Sequence, residues 1–71
     1  MNSNLLKAVI KKHGETQADL AEALGLSLSN LNDKINGKSA SFRQSEIIAI
    51  KERYKLTAKE VDEIFFAELL S

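Results

Sequence analysis

The chain has 71 residues, no cysteine, and ten basic side chains balanced by ten acidic ones. This length predicts one small domain over residues 1–71, too short for a catalytic domain joined to a regulatory one. Zero net charge argues against coating of nucleic acid by bulk electrostatics, and no apolar run approaches the roughly 18 residues that span a bilayer, so we expect a cytoplasmic protein without membrane contact.

The first two predicted helices each end at a glycine. Apolar residues recur at helical spacing over about residues 4–13, and Gly14 follows in a position that suits a left-handed cap. Thr16 and Asp19 then resemble a capping box, which predicts the start of a second helix at this point. Gly25 lies just beyond the last apolar residue of that helix and predicts its end.

The stretch LGLSLSNLNDKINGK permits two readings. Its first half alternates like a strand, and Asn36-Gly37 is a strong signal for a β-hairpin. No alternating strand follows, however, because the next residues read KSASFRQSE. We therefore predict a third helix that begins after a Ser27 cap and ends at Asn36-Gly37. Its Leu31 and Ile35 are predicted to face the core.

Two further capping boxes predict helices four and five. They are Ser41-x-x-Gln44 and Thr57-x-x-Glu60. The apolar stripes that follow them are Ile47/Ile50/Tyr54 and Val61/Ile64/Phe65/Leu69. The predicted fold class is therefore all-α, a compact bundle of five helices.

Helices two and three fit a helix-turn-helix unit over about residues 17–36. Ala21 is small where the helices must cross, Gly25 permits the turn, and Leu31 packs the third helix back. The stretches TQADLAEALGLS and LSNLNDKINGK resemble the Cro and lambda-type repressors of phages and mobile elements, a family also called XRE-like. The resemblance covers nearly all of residues 4–67.

This resemblance implies a transcriptional regulator that binds operator DNA, usually as a homodimer, with the helix over residues 27–36 in the major groove. It places Gln17 at a phosphate, residues 27–32 at base edges, and Lys38 and Arg43 near the DNA backbone. Helical geometry independently places a polar cluster on the outward side, made of Ser29, Asn32, Asp33 and Asn36. The predicted DNA-binding residues are Gln17, Ser27, Leu28, Ser29, Asn30, Asn32, Asp33, Lys34, Asn36, Lys38 and Arg43.

Three residues of this set depart from the usual pattern. We expect Leu28 in the core, the alternative being contact with a thymine methyl group. Asp33 either accepts a hydrogen bond from a cytosine amino group or lowers affinity for phosphates. Lys34 is expected to lay its stem along the protein and reach for a backbone phosphate.

The last helix carries Phe66 and Leu70 on the side opposite its core stripe, which favours a dimerisation surface over a terminus folded onto the core. His13 is expected to be a partly buried structural residue. The acids of the last helix suit its N-terminal dipole and are not expected to bind metal. Without a credible base for any serine, we expect no enzyme activity and no cofactor.

A second function class remains open on the sequence. The domain would then be an antirepressor-like or antitoxin-like protein-interaction module, with another phage or host regulatory protein as its partner. Zero net charge, Asp33, Leu28, Phe66 and Leu70 favour this alternative modestly.

Overall fold

A computed structural model describes residues 1–38 and 41–67. Within these residues the chain forms five α-helices, which confirms the predicted fold class. None of the helices in this part of the chain is long and apolar enough to cross a membrane. The helices are α1 (Ser3–Lys12), α2 (Gln17–Leu24), α3 (Leu28–Ile35), α4 (Gln44–Tyr54) and α5 (Ala58–Phe65).

Three helices begin where their capping residues predict. The Thr16 hydroxyl accepts from the backbone N–H of Asp19, while the Asp19 carboxylate accepts from the backbone N–H of Thr16 at 2.9 Å. Thr57 and Glu60 form the same reciprocal pair at the start of α5. Ser27 accepts from the Asn30 backbone N–H at 3.0 Å and starts α3. Each cap supplies partners for N–H groups that the helix cannot satisfy itself.

The predicted capping box at the start of α4 is wrong. The helix begins at Gln44, with Arg43 as its N-cap, and the Glu46 carboxylate accepts from the Arg43 backbone N–H at 2.8 Å. Phe42, between Ser41 and the observed N-cap, is buried. Burial of an aromatic side chain contributes about 1.5 to 3 kcal/mol, which exceeds the roughly 1 kcal/mol of a serine cap.

Four helices end in the same hydrogen-bonding pattern, in which the N–H after a residue with positive φ reaches a carbonyl five residues back. At the end of α2, Gly25 adopts φ 70°, and Leu26 N–H donates to Ala21 O at 2.9 Å. At the end of α4 the corresponding residue is Lys55, with φ 53°, and Leu56 N–H donates to a carbonyl at 2.9 Å. Lys55 is the only non-glycine residue with positive φ in the described part of the chain. A side chain is strained there, whereas glycine is not.

The core forms between all five helices. Helices α2 and α3 make the closest contact, α1 packs against α2 and α5, and α4 packs against α5. Phe42 and Phe65 meet edge to face, with ring centroids 5.6 Å apart. The fully buried large side chains are Leu6, Leu20, Leu31, Ile35, Ile50 and Ile64.

The first three residues join α1 to two other helices. The Asn2 backbone N–H donates to Ile64 O in α5 at 2.7 Å, and Ser3 Oγ donates to Ile35 O at the end of α3 at 2.6 Å. The Asn2 side chain also caps α1 by accepting from the Leu5 backbone N–H at 3.0 Å. The N-terminal segment is thus bonded to the ends of α3 and α5.

His13 is exposed, so the expectation of a partly buried histidine is wrong. It caps the end of α1, where its Nδ1 donates to Val9 O at 2.9 Å and its ring lies 4.9 Å from that of Tyr54. Beside this pair Arg53 forms a bidentate ion pair with Glu15. Burial raises the pKa of Tyr54 to about 12, and the adjacent Glu15 carboxylate adds to the shift.

Candidate nucleic-acid interface

The α2–α3 pair presents one polar face to solvent. Leu31 and Ile35 are buried on the inner side of α3, and Ala21 of α2 is buried where the two helices are in contact. All three residues are buried, as the sequence predicted for them. Because the inner side is filled, the remaining residues of α3 determine what a partner would meet.

A chain of amide hydrogen bonds links the first residue of α2 to the outer face of α3. Asn36 Nδ2 donates to Asn32 Oδ1 at 2.7 Å, and Asn32 Nδ2 donates to Gln17 Oε1 at 3.2 Å. This direction of bonding leaves the Gln17 amide NH₂ without a hydrogen-bond partner among the described residues. The group can therefore donate to an external acceptor such as a phosphate oxygen or a base edge.

Most of the predicted DNA-binding residues are accessible. Gln17 and Asp33 are half-buried. Lys34 alone is buried. The exposed members of the set are Ser27, Leu28, Ser29, Asn30, Asn32, Asn36, Lys38 and Arg43.

Leu28 is 50% exposed, so the prediction that it belongs to the core is wrong. It is the first residue of α3, whereas Leu24 and Leu26, which precede the helix, pack against the core. An exposed leucine at the start of the helix can contact an apolar group of a partner. A thymine methyl group is one such group.

The position of Lys34 also corrects the sequence prediction. Its Nζ lies 3.3 Å from Glu46 Oε1, and the residue is only 9% exposed. The stem follows the protein as expected, but the ammonium turns inward and does not point to a phosphate in solvent. Its charge is neutralised by Glu46, so it adds little to the field outside the protein.

Among the predicted DNA-binding residues, Lys38 and Arg43 are the cations left exposed. Lys38 follows the end of α3 and Arg43 precedes α4, so they border the segment that connects these helices. Asp33 on α3 is the acid of the set. The candidate surface is therefore polar and only weakly cationic, with hydrogen-bonding amides at its centre.

The predicted dimerisation residues have different outcomes. Phe66 is 38% exposed, as expected for a residue available to a partner. Leu70 lies outside the described residues. Phe66 borders a groove that also includes Met1, Phe42, Ile47 and Phe65. Self-association through this side remains a prediction.

Among the described residues, no group of three or more His, Cys, Asp or Glu side chains could hold a metal ion. Residues 2–68 match the family of proteins of unknown function called DUF739. The chain belongs to the DUF739 family. No curated protein and no solved structure matches it.

Two features of this DUF739 domain were not predicted from its sequence. One is the Lys34–Glu46 ion pair, whose members are 12 residues apart and carry no local pattern. The other is the bond between Asn32 and Gln17, which lie on different helices. The outward placement of Asn32 was predictable from helical periodicity, but its partner depends on how α2 and α3 cross.

Proposed function

We propose that this DUF739 domain is a transcriptional regulator that binds double-stranded DNA, resembling the Cro and lambda-type repressors. Helix α3 would lie in the major groove. The observation that carries this proposal is the amide chain from Gln17 through Asn32 to Asn36. It places oriented hydrogen-bonding groups from both helices on one exposed face, which suits the edges of bases and the phosphates beside them.

The accessible residues of this surface then divide between base edges and phosphates. Ser29, Asn30 and Asn32 hydrogen-bond to base edges, and Leu28 contacts a thymine methyl group. The Gln17 amide, Lys38 and Arg43 bind phosphates on either side of the groove, which holds the domain in register. Asp33 would accept from a cytosine amino group and repel phosphates in other registers.

The proposed assembly is a homodimer on an inverted repeat. Two copies of α3 would enter successive major grooves, about 34 Å apart along the DNA. The side of the domain that carries Phe66 is proposed to join the copies. Promoter occupancy, without chemistry, would be the output.

The test begins with selection of duplexes from a randomised pool, followed by binding measurements on a selected and a scrambled duplex at several salt concentrations. Lys38→Ala and Arg43→Ala should weaken both complexes and each lower the salt slope by up to about one unit per chain. Ser29→Ala should cost roughly 1 to 3 kcal/mol on the selected duplex only. Lys59→Ala removes an exposed lysine from α5 and is the control for charge.

Asp33→Asn separates the two effects of the acid. We expect non-specific affinity to rise, because a negative charge near phosphates is removed, while any preference for cytosine falls. If the pool yields no enriched sequence and the parent binds neither duplex, the proposal is wrong.

A protein-interaction module is the second candidate, and the 50% exposure of Leu28 favours it. An exposed leucine on a nearly neutral face suits a protein surface as well as a thymine methyl group. Heparin retention distinguishes the two candidates. A DNA-binding domain should elute late in a salt gradient, whereas a protein adaptor should elute early.

A further inference from the structure

The Lys34–Glu46 ion pair lies between α3 and the segment that leads into α4. The side chains are 8% and 11% exposed. The Lys34 Nζ also lies 3.5 Å from the Ser41 carbonyl oxygen and 6.0 Å from the centre of the Phe42 ring. The ammonium thus contacts two consecutive residues of the connecting segment as well as its partner carboxylate.

One carboxylate oxygen joins this ammonium to the backbone of Arg43. Glu46 Oε1 accepts from Lys34 Nζ at 3.3 Å and from the Arg43 backbone N–H at 2.8 Å. Arg43 itself is exposed. A side chain of α3 and the backbone of an accessible arginine nine positions further along the chain therefore bind the same carboxylate oxygen.

We propose that Lys34 and Glu46 form a positioning pair that holds Arg43 in place relative to the outer face of α3. Its consequence for DNA rests on the proposed function. A guanidinium on a freely moving segment loses conformational entropy when it binds a phosphate, and prior fixing of its backbone reduces that loss. Stability alone is a poor explanation for the pair, because well-packed apolar residues often replace buried ion pairs without loss.

Amide hydrogen exchange in the free protein and salt-dependent binding to a scrambled duplex test this proposal. The variants are Lys34→Met, which keeps the stem, and Glu46→Gln, which keeps the shape. We expect exchange of the Arg43 amide to become about three- to tenfold faster, beyond any change at core amides of Leu31 and Ile50. The salt slope should fall by up to about one unit per chain.

Lys51→Met is the matched control for Lys34→Met, since it removes an exposed lysine from α4 and lowers the net charge by the same amount. It should leave exchange of the Arg43 amide unchanged. If the Arg43 amide accelerates no more than the core amides in either variant, the proposal is overturned, whatever the domain binds. The proposal is also overturned if exchange of the Arg43 amide becomes faster but, with a parent protein that binds the duplex, both variants bind it with the salt slope of the parent.

The two proposals fail separately. If the Arg43 amide responds as expected but the parent binds no duplex, the positioning pair stands and the DNA-binding function is wrong. If Lys34→Met does not fold, the exchange rate of the Arg43 amide in Glu46→Gln tests the proposal. If neither variant folds, the test uses the unmodified protein, in which we expect the Arg43 amide to exchange at least about threefold more slowly than the Gln44 amide. Equal rates at these two amides overturn the proposal.

Discussion

Replacement of Lys55 by glycine should stabilise the domain. Lys55 ends α4 with φ 53° and ψ 46°, a left-handed conformation that costs a residue with a side chain about 1 to 2 kcal/mol. Glycine removes this strain but makes the unfolded chain more flexible, at a cost of about 0.4 to 1 kcal/mol. The difference between the midpoints of these two ranges is a net gain of about 0.8 kcal/mol. For a domain of this size it corresponds to a rise in Tm of about 3 to 6 °C.

Thermal unfolding followed by circular dichroism measures this gain. Lys55→Ala is the matched control, because it removes the long side chain but keeps the Cβ atom that causes the strain. The alanine variant should melt at or below the Tm of the parent. An equal rise in Tm for both variants would show that the lysine side chain, and not the backbone conformation, is unfavourable. An unchanged or lower Tm for Lys55→Gly would refute the reasoning.

Three other perturbations have defined outcomes. Ala21→Leu overpacks the contact between α2 and α3 and should destabilise the folded domain by about 1 to 3 kcal/mol. An unchanged Tm would show that the two helices do not cross closely at Ala21. Since Tyr54 has a pKa of about 12 when folded against about 10 when unfolded, its contribution to stability is complete below pH 10 and lost as the pH rises towards 12. Ultraviolet titration of this sole tyrosine should show the high midpoint, and Glu15→Gln should lower it while burial keeps it above 10. Phe66→Glu should reduce the mass of any oligomer measured by light scattering, and an unchanged oligomer would exclude that surface.

Local signals made much of the fold predictable. The Thr16 and Thr57 capping boxes and the Ser27 cap act through bonds three residues apart, so their residue types specify the helix starts directly. Gly25 likewise reports a backbone conformation that few other residues adopt. Helical periodicity also placed Leu31 and Ile35 correctly in the core.

The errors concern residues whose environment depends on packing between helices. The burial of Phe42 moved the start of α4, and Leu24 and Leu26 pack against the core whereas Leu28 is exposed. Lys34 turned inward because Glu46 lies across the helix contact, which no spacing in the sequence reveals. The sequence therefore predicted which residues of the candidate surface are exposed for most of the set, but it counted Lys34 as an exposed cation although this residue is buried.

The bonds of Asn2 and Ser3 make the beginning of the chain part of a cooperative unit with α3 and α5. Detachment of α5 would remove the acceptor of the Asn2 N–H, and displacement of Asn2 would release the cap of α1. Exchange of amides at the start of α1 and along α5 should therefore report a common opening. An affinity tag fused before Asn2 would act at the junction of three helices, one of them the proposed recognition helix. Binding studies are consequently better conducted with the tag removed.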